Sequence, residues 1–509
     1  MGLLLPLLLG FLACIFSGLY ILGAFRQRRP GEPPLDKGWM PWLGHVLEFR
    51  RDTAKFIQRM RQKHGDVFTV QLGGFYVTFL QDPLSFGAFV KENSKKLSFD
   101  VFAKQIVIRM FGYKVSNNVH TIKDTASHLR GHGLEALTES MMSNLQNLML
   151  HNLGSAANQK TWTEDGLFNY CYSILFRAGY LSLYGHTTSE TEGDDEKAKA
   201  KDRIESEVLF HEFCKYNKLV PNLLYNVLTP TQRREALRLK RYFWDALSVK
   251  KIRSKDNISG WIKDILNLQK VQGIPEIMTD RYMFVLLWTS QGNTGPSAFW
   301  LLLYLMKDPI AMEALRKEVD KVLKESGQEV RPGGPPVDLT YEMLMKTPVL
   351  DSAVEETLRL KAAPLFTRHV LQDMTLEMAD GRQFFIRKGD RMAVFPYVSV
   401  HIDPEIHPDP YTFKYDRFLT PEGTKKTAFY KGTQRVKYYS MPWGSGVSMC
   451  PGRFFATNEL KQFVFLMLVY FDFELMNPDE KIPQIDTRRW GTGTMHPDRE
   501  VKFRYRLRY

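Results

Sequence analysis

Hydrophobic residues are distributed along this chain in two distinct ways. Residues Leu3 to Phe25 carry no charge, whereas beyond Gly38 apolar positions recur mostly with the 3.6-residue period of amphipathic helices. An uninterrupted helix over the first stretch would rise roughly 34 Å, comparable with the hydrocarbon core of a bilayer. A cleaved signal peptide would show a basic start and an apolar core of only ~7–15 residues, and neither is present. Arg26, Arg28 and Arg29 follow at once, so the positive-inside bias places the rest of the chain in the cytosol, which in a eukaryote means the endoplasmic reticulum membrane. Pro30-Gly31-Glu32-Pro33-Pro34 cannot continue a helix. The pattern therefore predicts an anchor at 1–25, a basic, proline-rich linker at 26–37 and one folded domain at 38–509. Alternating runs at Val67–Val77 and Met374–Ile386 predict strands, Glu276–Asp308 a long apolar helix, and 187–201 and 326–336 surface loops. The fold class expected is mainly α with small β-sheets.

Composition narrows the picture only slightly. Thirty-four Phe and 22 Tyr in a chain that is 44% hydrophobic are enough to fill a large core and an apolar pocket. Four cysteines without a paired spacing (Cys14, Cys171, Cys214 and Cys450) argue against a secreted disulfide framework. The net charge of +13 suits an anionic lipid surface or an acidic protein partner; the basic residues are dispersed and no RNA- or zinc-binding signature accompanies them, so nucleic acid is not expected.

Candidate chemistry concentrates near the carboxyl end. Trp443-Gly444-Ser445-Gly446-Val447-Ser448-Met449-Cys450-Pro451-Gly452 precedes an apolar, helix-periodic run from Arg453 to Phe471. A cysteine at a helix start meets unpaired backbone N–H groups and the positive end of the macrodipole, which favour a thiolate able to ligate a metal. Pro451 suits a first helical turn, and Gly446 and Gly452 would let backbone approach a flat ligand. On its own the segment also fits a buried free cysteine in a glycine turn.

Other segments join it. Trp443, Gly446, Cys450 and Gly452 resemble the haem-ligand loop Phe-x-x-Gly-x-x-x-Cys-x-Gly of the cytochrome P-450 superfamily. Glu356-Thr357-Leu358-Arg359 resembles its Glu-x-x-Arg helix, where i and i+3 share one face, and Phe413–Phe418 resembles the segment whose arginine, here Arg417, completes a structural triad with that pair. Pro364-Leu365-Phe366-Thr367-Arg368 looks like the strand whose arginine meets a haem propionate, which assigns Arg368. Ser448 stands where the family often has a basic residue. The resemblance implies the cytochrome P-450 fold, with haem b held between a long distal helix and the cysteine loop, Cys450 as iron ligand, and electrons drawn from NADPH through a flavoprotein reductase. The run Lys425, Lys426, Lys431, Arg435 and Lys437 is a candidate docking patch for that partner; a solvated loop is the alternative.

The segment Ser290-Gln291-Gly292-Asn293-Thr294-Gly295-Pro296 interrupts the long helix. Pro296 offers no N–H to the carbonyl of Gly292, so the helix should open there and leave that carbonyl free beside dioxygen and water. The family usually carries an acid and a threonine here; this chain has Gly292 and Asn293, with Thr294 about 100° further around the helix. Gly292, Asn293 and Thr294 are the expected catalytic positions, with protons delivered through water, and Trp288 the expected wall of the substrate pocket. The segment, with Phe299-Trp300 after it, is similar to a small subgroup containing sterol hydroxylases and an isomerase of prostaglandin endoperoxides. It implies NADPH- and dioxygen-dependent hydroxylation at carbon 12 of a 7α-hydroxylated sterol. Endoperoxide isomerisation and haem sensing without turnover are the alternatives.

Overall fold

The computed structural model describes residues 4–114, 121–151, 161–188, 194–331 and 334–508. Helices dominate it and the strands are short, as the periodicity predicts. Two of the expected strands are hairpins. Val67–Leu72 pairs antiparallel with Phe75–Leu80 across Gly73-Gly74, both at positive φ, the two-residue turn that matches strand twist. Met374–Glu377 likewise pairs with Gln383–Ile386. Of the expected loop at 187–201, residues from Asp195 onward are already helix and 189–193 lie outside the described residues; residues 332–333 of the second loop do also.

A six-stranded sheet runs in the order Leu35–Asp36, Val67–Leu72, Phe75–Leu80, Arg391–Val394, Phe366–Val370, Leu97–Ser98. Its first strand lies before Gly38, so the fold begins inside the expected linker. Asp36 pairs in parallel with Val70, Thr69 N donates to the Pro34 carbonyl at 2.8 Å, and Glu32 is buried against Arg387. The amino-terminal helix spans Leu4–Ile21, shorter than the expected apolar run, and ends in turns closed by Gly23 at φ 74°. Among the described residues no helix is long and apolar enough to cross a membrane.

The long apolar helix is two helices, Glu276–Gln291 and Thr294–Lys307. Pro296 is the third residue of the second, inside the first turn where a proline is tolerated; the bond it forgoes is the one an unbroken helix would make to the Gly292 carbonyl. The break falls where the chain passes between two apolar clusters. The first half packs among Phe111, Tyr216 and Phe243, while Thr294–Leu305 is buried on all sides against the Leu167–Tyr184 and Arg453–Tyr470 helices. A helix apolar all round is stable only when so enclosed.

Candidate active site

Cys450 lies two residues before Gly452, the N-cap of the Arg453–Tyr470 helix, so it and Pro451 precede the helix instead of opening it. Its own N–H donates to the Trp443 carbonyl at 2.8 Å, which closes the loop into a ring around the sulfur. Burial pushes the thiol up from its ordinary value, while the N–H groups of Gly452 and Arg453 and the Arg453 guanidinium pull it back. The glycines of the loop serve the protein itself. A Cβ on Gly446, at φ 60°, would come within 2.9 Å of Val90, whereas one on Gly452 would meet only the Cys450 sulfur at 3.9 Å.

A cavity of about 340 Å³ lies beside this loop, within the size range of small-molecule pockets. Ser445 and Ser448 border it on the cysteine side, Val285, Trp288 and Thr289 on the broken helix, and Phe102, Ile106, Met110 and Phe111 on the Asp100–Phe111 helix. Arg368 reaches it from the Phe366–Val370 strand, 3% exposed. Its Nη1 donates to the Phe89 carbonyl at 2.6 Å and its Nη2 reaches Ser448 Oγ only at 3.5 Å; among the described residues it has no carboxylate partner, and burial lowers its pKa. A buried guanidinium with no carboxylate partner among the described residues borders this apolar hollow, and Cys450, itself not a lining residue, follows the lining residue Ser448 by two; guanidinium and thiol are the groups a haem with acidic side arms would use.

The structure also assembles the triad. Glu356, fully buried, accepts from Arg359 Nε and Nη2 at 2.7 and 2.8 Å and from Arg417 Nε at 2.9 Å. The remaining guanidinium hydrogens go to the carbonyls of His401, Pro408, Asp409, Pro410 and Thr412, so the cluster ties the Pro348–Lys361 helix to the segment leading to the cysteine.

The three expected catalytic positions stand elsewhere. Gly292, Asn293 and Thr294 are not among the cavity's lining residues. Asn293 is the N-cap of the second helix, and its Oδ1 accepts from Thr494 N at 2.9 Å. Its side chain is turned to the carboxyl-terminal loop, so close that a Cβ on Gly493 would overlap it. Thr294 Oγ1 donates to Glu459 Oε2 at 3.2 Å. The carbonyl of Gly292 is released by Pro296 and accepts from the Tyr172 hydroxyl at 3.2 Å, which engages one of its two lone pairs. Breaking the helix rotates these groups out of the register that an unbroken helix would give them. Trp288, one turn earlier, does border the cavity, its indole 5.8 Å from Phe111.

Sequence reading missed Tyr172, Asn217, Glu459 and Arg489, all buried around the break. The one local signal is Pro221 inside the Asp195–Tyr225 helix, which must release the carbonyl of Asn217. In the candidate docking patch Lys425 is paired with Glu355 at 2.9 Å and Lys431 with Asp403 and Glu405, which neutralises part of its charge.

The family model for cytochrome P450 matches residues 33–503. This chain belongs to the cytochrome P450 family. Membership carries haem with a cysteine thiolate ligand and electron supply from a reductase. It makes Cys450 this P450's only candidate ligand in the matching loop. Along 99% of its length the P450 is 49% identical to 7-alpha-hydroxycholest-4-en-3-one 12-alpha-hydroxylase of Homo sapiens, covering 98% of that protein. It is 43% identical to prostacyclin synthase of Homo sapiens over 94% of this chain and 95% of that one. To Cytochrome P450 7A1 of Sus scrofa it is 36% identical, over 99% of each.

Proposed function

We propose that this P450 is a sterol 12α-hydroxylase, inserting one oxygen atom from O2 into 7α-hydroxycholest-4-en-3-one with electrons from NADPH through a flavoprotein reductase. The observation that carries the reading is the 49% identity to a 12-alpha-hydroxylase across 99% of the chain. The cavity suits such a substrate, because its wall is phenylalanine, isoleucine, methionine and tryptophan with few polar groups. In this reading Cys450 ligates the iron and Arg368 meets a propionate. The haem supplies oxygen activation, with the thiolate favouring O–O cleavage. Trp288 and Phe111 hold the apolar body of the sterol against water. At the helix break Asn293 is bonded to Thr494 and Thr294 to Glu459, away from the cavity, so in this reading protons reach the cavity through water and not from an acid in the helix.

The uncharged 1–25 segment anchors the chain in the endoplasmic reticulum membrane with the domain in the cytosol, and the unpaired basic residues Lys426, Arg435 and Lys437 face the reductase. Product formation from 7α-hydroxycholest-4-en-3-one, measured in membranes with reductase under isotopically labelled O2, tests the whole reading. A labelled 12α-hydroxyl that requires NADPH supports it. Rearrangement of a prostaglandin endoperoxide without NADPH, and no sterol product, would make the P450 an isomerase like its 43% identical relative.

A further inference from the structure

Two prolines stand four residues after two residues that are bridged by the Tyr172 hydroxyl. Pro296 follows Gly292, and Pro221 follows Asn217. Each deprives a carbonyl of its helical donor, and each carbonyl is claimed by a side chain from elsewhere. Tyr172 donates to Gly292 O at 3.2 Å, and Arg489 Nη1 donates to Asn217 O at 3.0 Å.

The two arrangements are joined through the Asn217 side chain. Its Oδ1 accepts from Arg489 Nη2 at 3.1 Å and from Trp288 Nε1 at 3.3 Å, and its Nδ2 donates to the Tyr172 hydroxyl at 3.1 Å. Two N–H donors converge on one end of the amide, which fixes its orientation: only the oxygen can face Arg489 and Trp288. Asn217 is 3% exposed and Arg489 6%, so water does not compete for these bonds. Arg489 also carries the neighbouring wall, since its carbonyl accepts from Thr492 Oγ1 at 2.6 Å and Thr492 borders the cavity. One amide therefore touches the indole in the wall, the hydroxyl that holds the helix break and the arginine that holds the carboxyl-terminal loop.

We propose that Asn217, held by Arg489, is a positioning residue that sets the tilt of the Trp288 ring and the opening of the helix at Gly292, and thereby selects which carbon of the substrate is oxidised. The proposal rests on the sterol reading for the identity of that carbon. Beyond that bond the indole is located by apolar packing, with Phe111 among its neighbours, and a wall ring free to tilt would let a rigid polycycle slide along the cavity.

The test uses the full-length, haem-loaded protein with reductase, as wild type, Asn217→Leu, Trp288→Phe, the double variant and Asn217→Asp. Asn217→Leu keeps the branched shape and removes both polar ends; Trp288→Phe keeps an aromatic ring and removes the five-membered ring with its N–H. Each is expected to lower selectivity for the principal carbon on the order of tenfold, with the double variant no worse than either single one, because both break the same contact. Asn217→Asp keeps the acceptor for Arg489 and Trp288 but replaces the donor to Tyr172 with an acceptor, which draws the hydroxyl hydrogen from Gly292 O, so it is expected to lose less selectivity than Asn217→Leu. Hydrogen exchange of the 288–294 amides in substrate-free protein is expected to rise in both Asn217 variants, since each removes the donor to the Tyr172 hydroxyl. A haem-loaded Asn217→Leu protein with wild-type products and wild-type exchange would overturn the proposal, as would fully additive single effects. If wild type oxidises no sterol, the substrate reading fails by itself, and the exchange measurement still decides the positioning role.

Discussion

Burial sets the chemistry of several single groups here. Glu459 is 1% exposed and pushed up to about 8, chiefly by desolvation, against the bond from Thr294. The protonated form is thus favoured by the fold, and the stability it brings is complete below the carboxyl's unfolded value near 4.5 and lost as pH rises through about 8. The stability of wild type relative to Glu459→Gln is therefore expected to fall across that window, by at most about 1.4 kcal/mol per pH unit, in denaturant titrations run at several pH values. Glu356 is buried together with its two guanidinium partners. Glu356→Gln leaves them uncompensated and is expected to destabilise the protein by about 3–5 kcal/mol in equilibrium unfolding. Cys450→Ser is expected to keep the fold while abolishing the thiolate-type absorption of the ferrous carbonyl complex. At this scale the chain was legible wherever partners lie close in sequence or in a fixed motif, as with Glu356 and Arg359 three residues apart. Arg489 and Asn217 are 272 residues apart, and nothing local announces such a pair. Asn293 was misread because its role depends on which way the helix breaks, which its neighbours in sequence do not fix.

Elements followed their patterns where the signal is period plus cap. The Pro309–Glu325 helix begins with Asp308, whose carboxylate accepts from Ile310 N and Ala311 N at 3.1 Å, with Pro309 at its first position. Asp308→Ala is expected to cost about 1 kcal/mol, read as a shift in unfolding midpoint with little change in turnover. The strands at 67–80 and 374–386 were visible as alternation, but their turns were not, because Gly-Gly and the 378–382 bend interrupt the alternation for too few residues to register. Pro296 correctly signalled a helix that opens at Gly292. The proline is tolerated inside the first turn, so the chain breaks before it, at Gly292-Asn293.

At the scale of the whole molecule, the amino-terminal region is where composition misled most. A run of proline and charge reads as a spacer, yet residues 26–36 are docked by ion pairs and a strand whose partners lie far along the chain. Removing residues 1–22 is expected to leave the unfolding temperature within a few degrees of the full chain, since Arg26, Glu32 and the first strand remain. Removing residues 1–37 exposes Asp390 and Arg387 without their partners and is expected to cost about 3 kcal/mol or more. Differential scanning of the two truncations side by side would check both.

That docking also governs orientation. Arg26 pairs with Asp390 and lies 4.5 Å over the Tyr76 ring, whose hydroxyl donates to the Gly23 carbonyl at 2.6 Å. Only four residues lie between Ile21, the last of the amino-terminal helix, and Arg26 of that clamp. A domain on a loose tether sweeps a wide cone above a lipid surface; one fastened this close to its helix keeps a single attitude. If the first segment lies in lipid, the direction in which the cavity opens is then set by the protein and not by diffusion, and a lipid-soluble substrate meets the same face on every encounter.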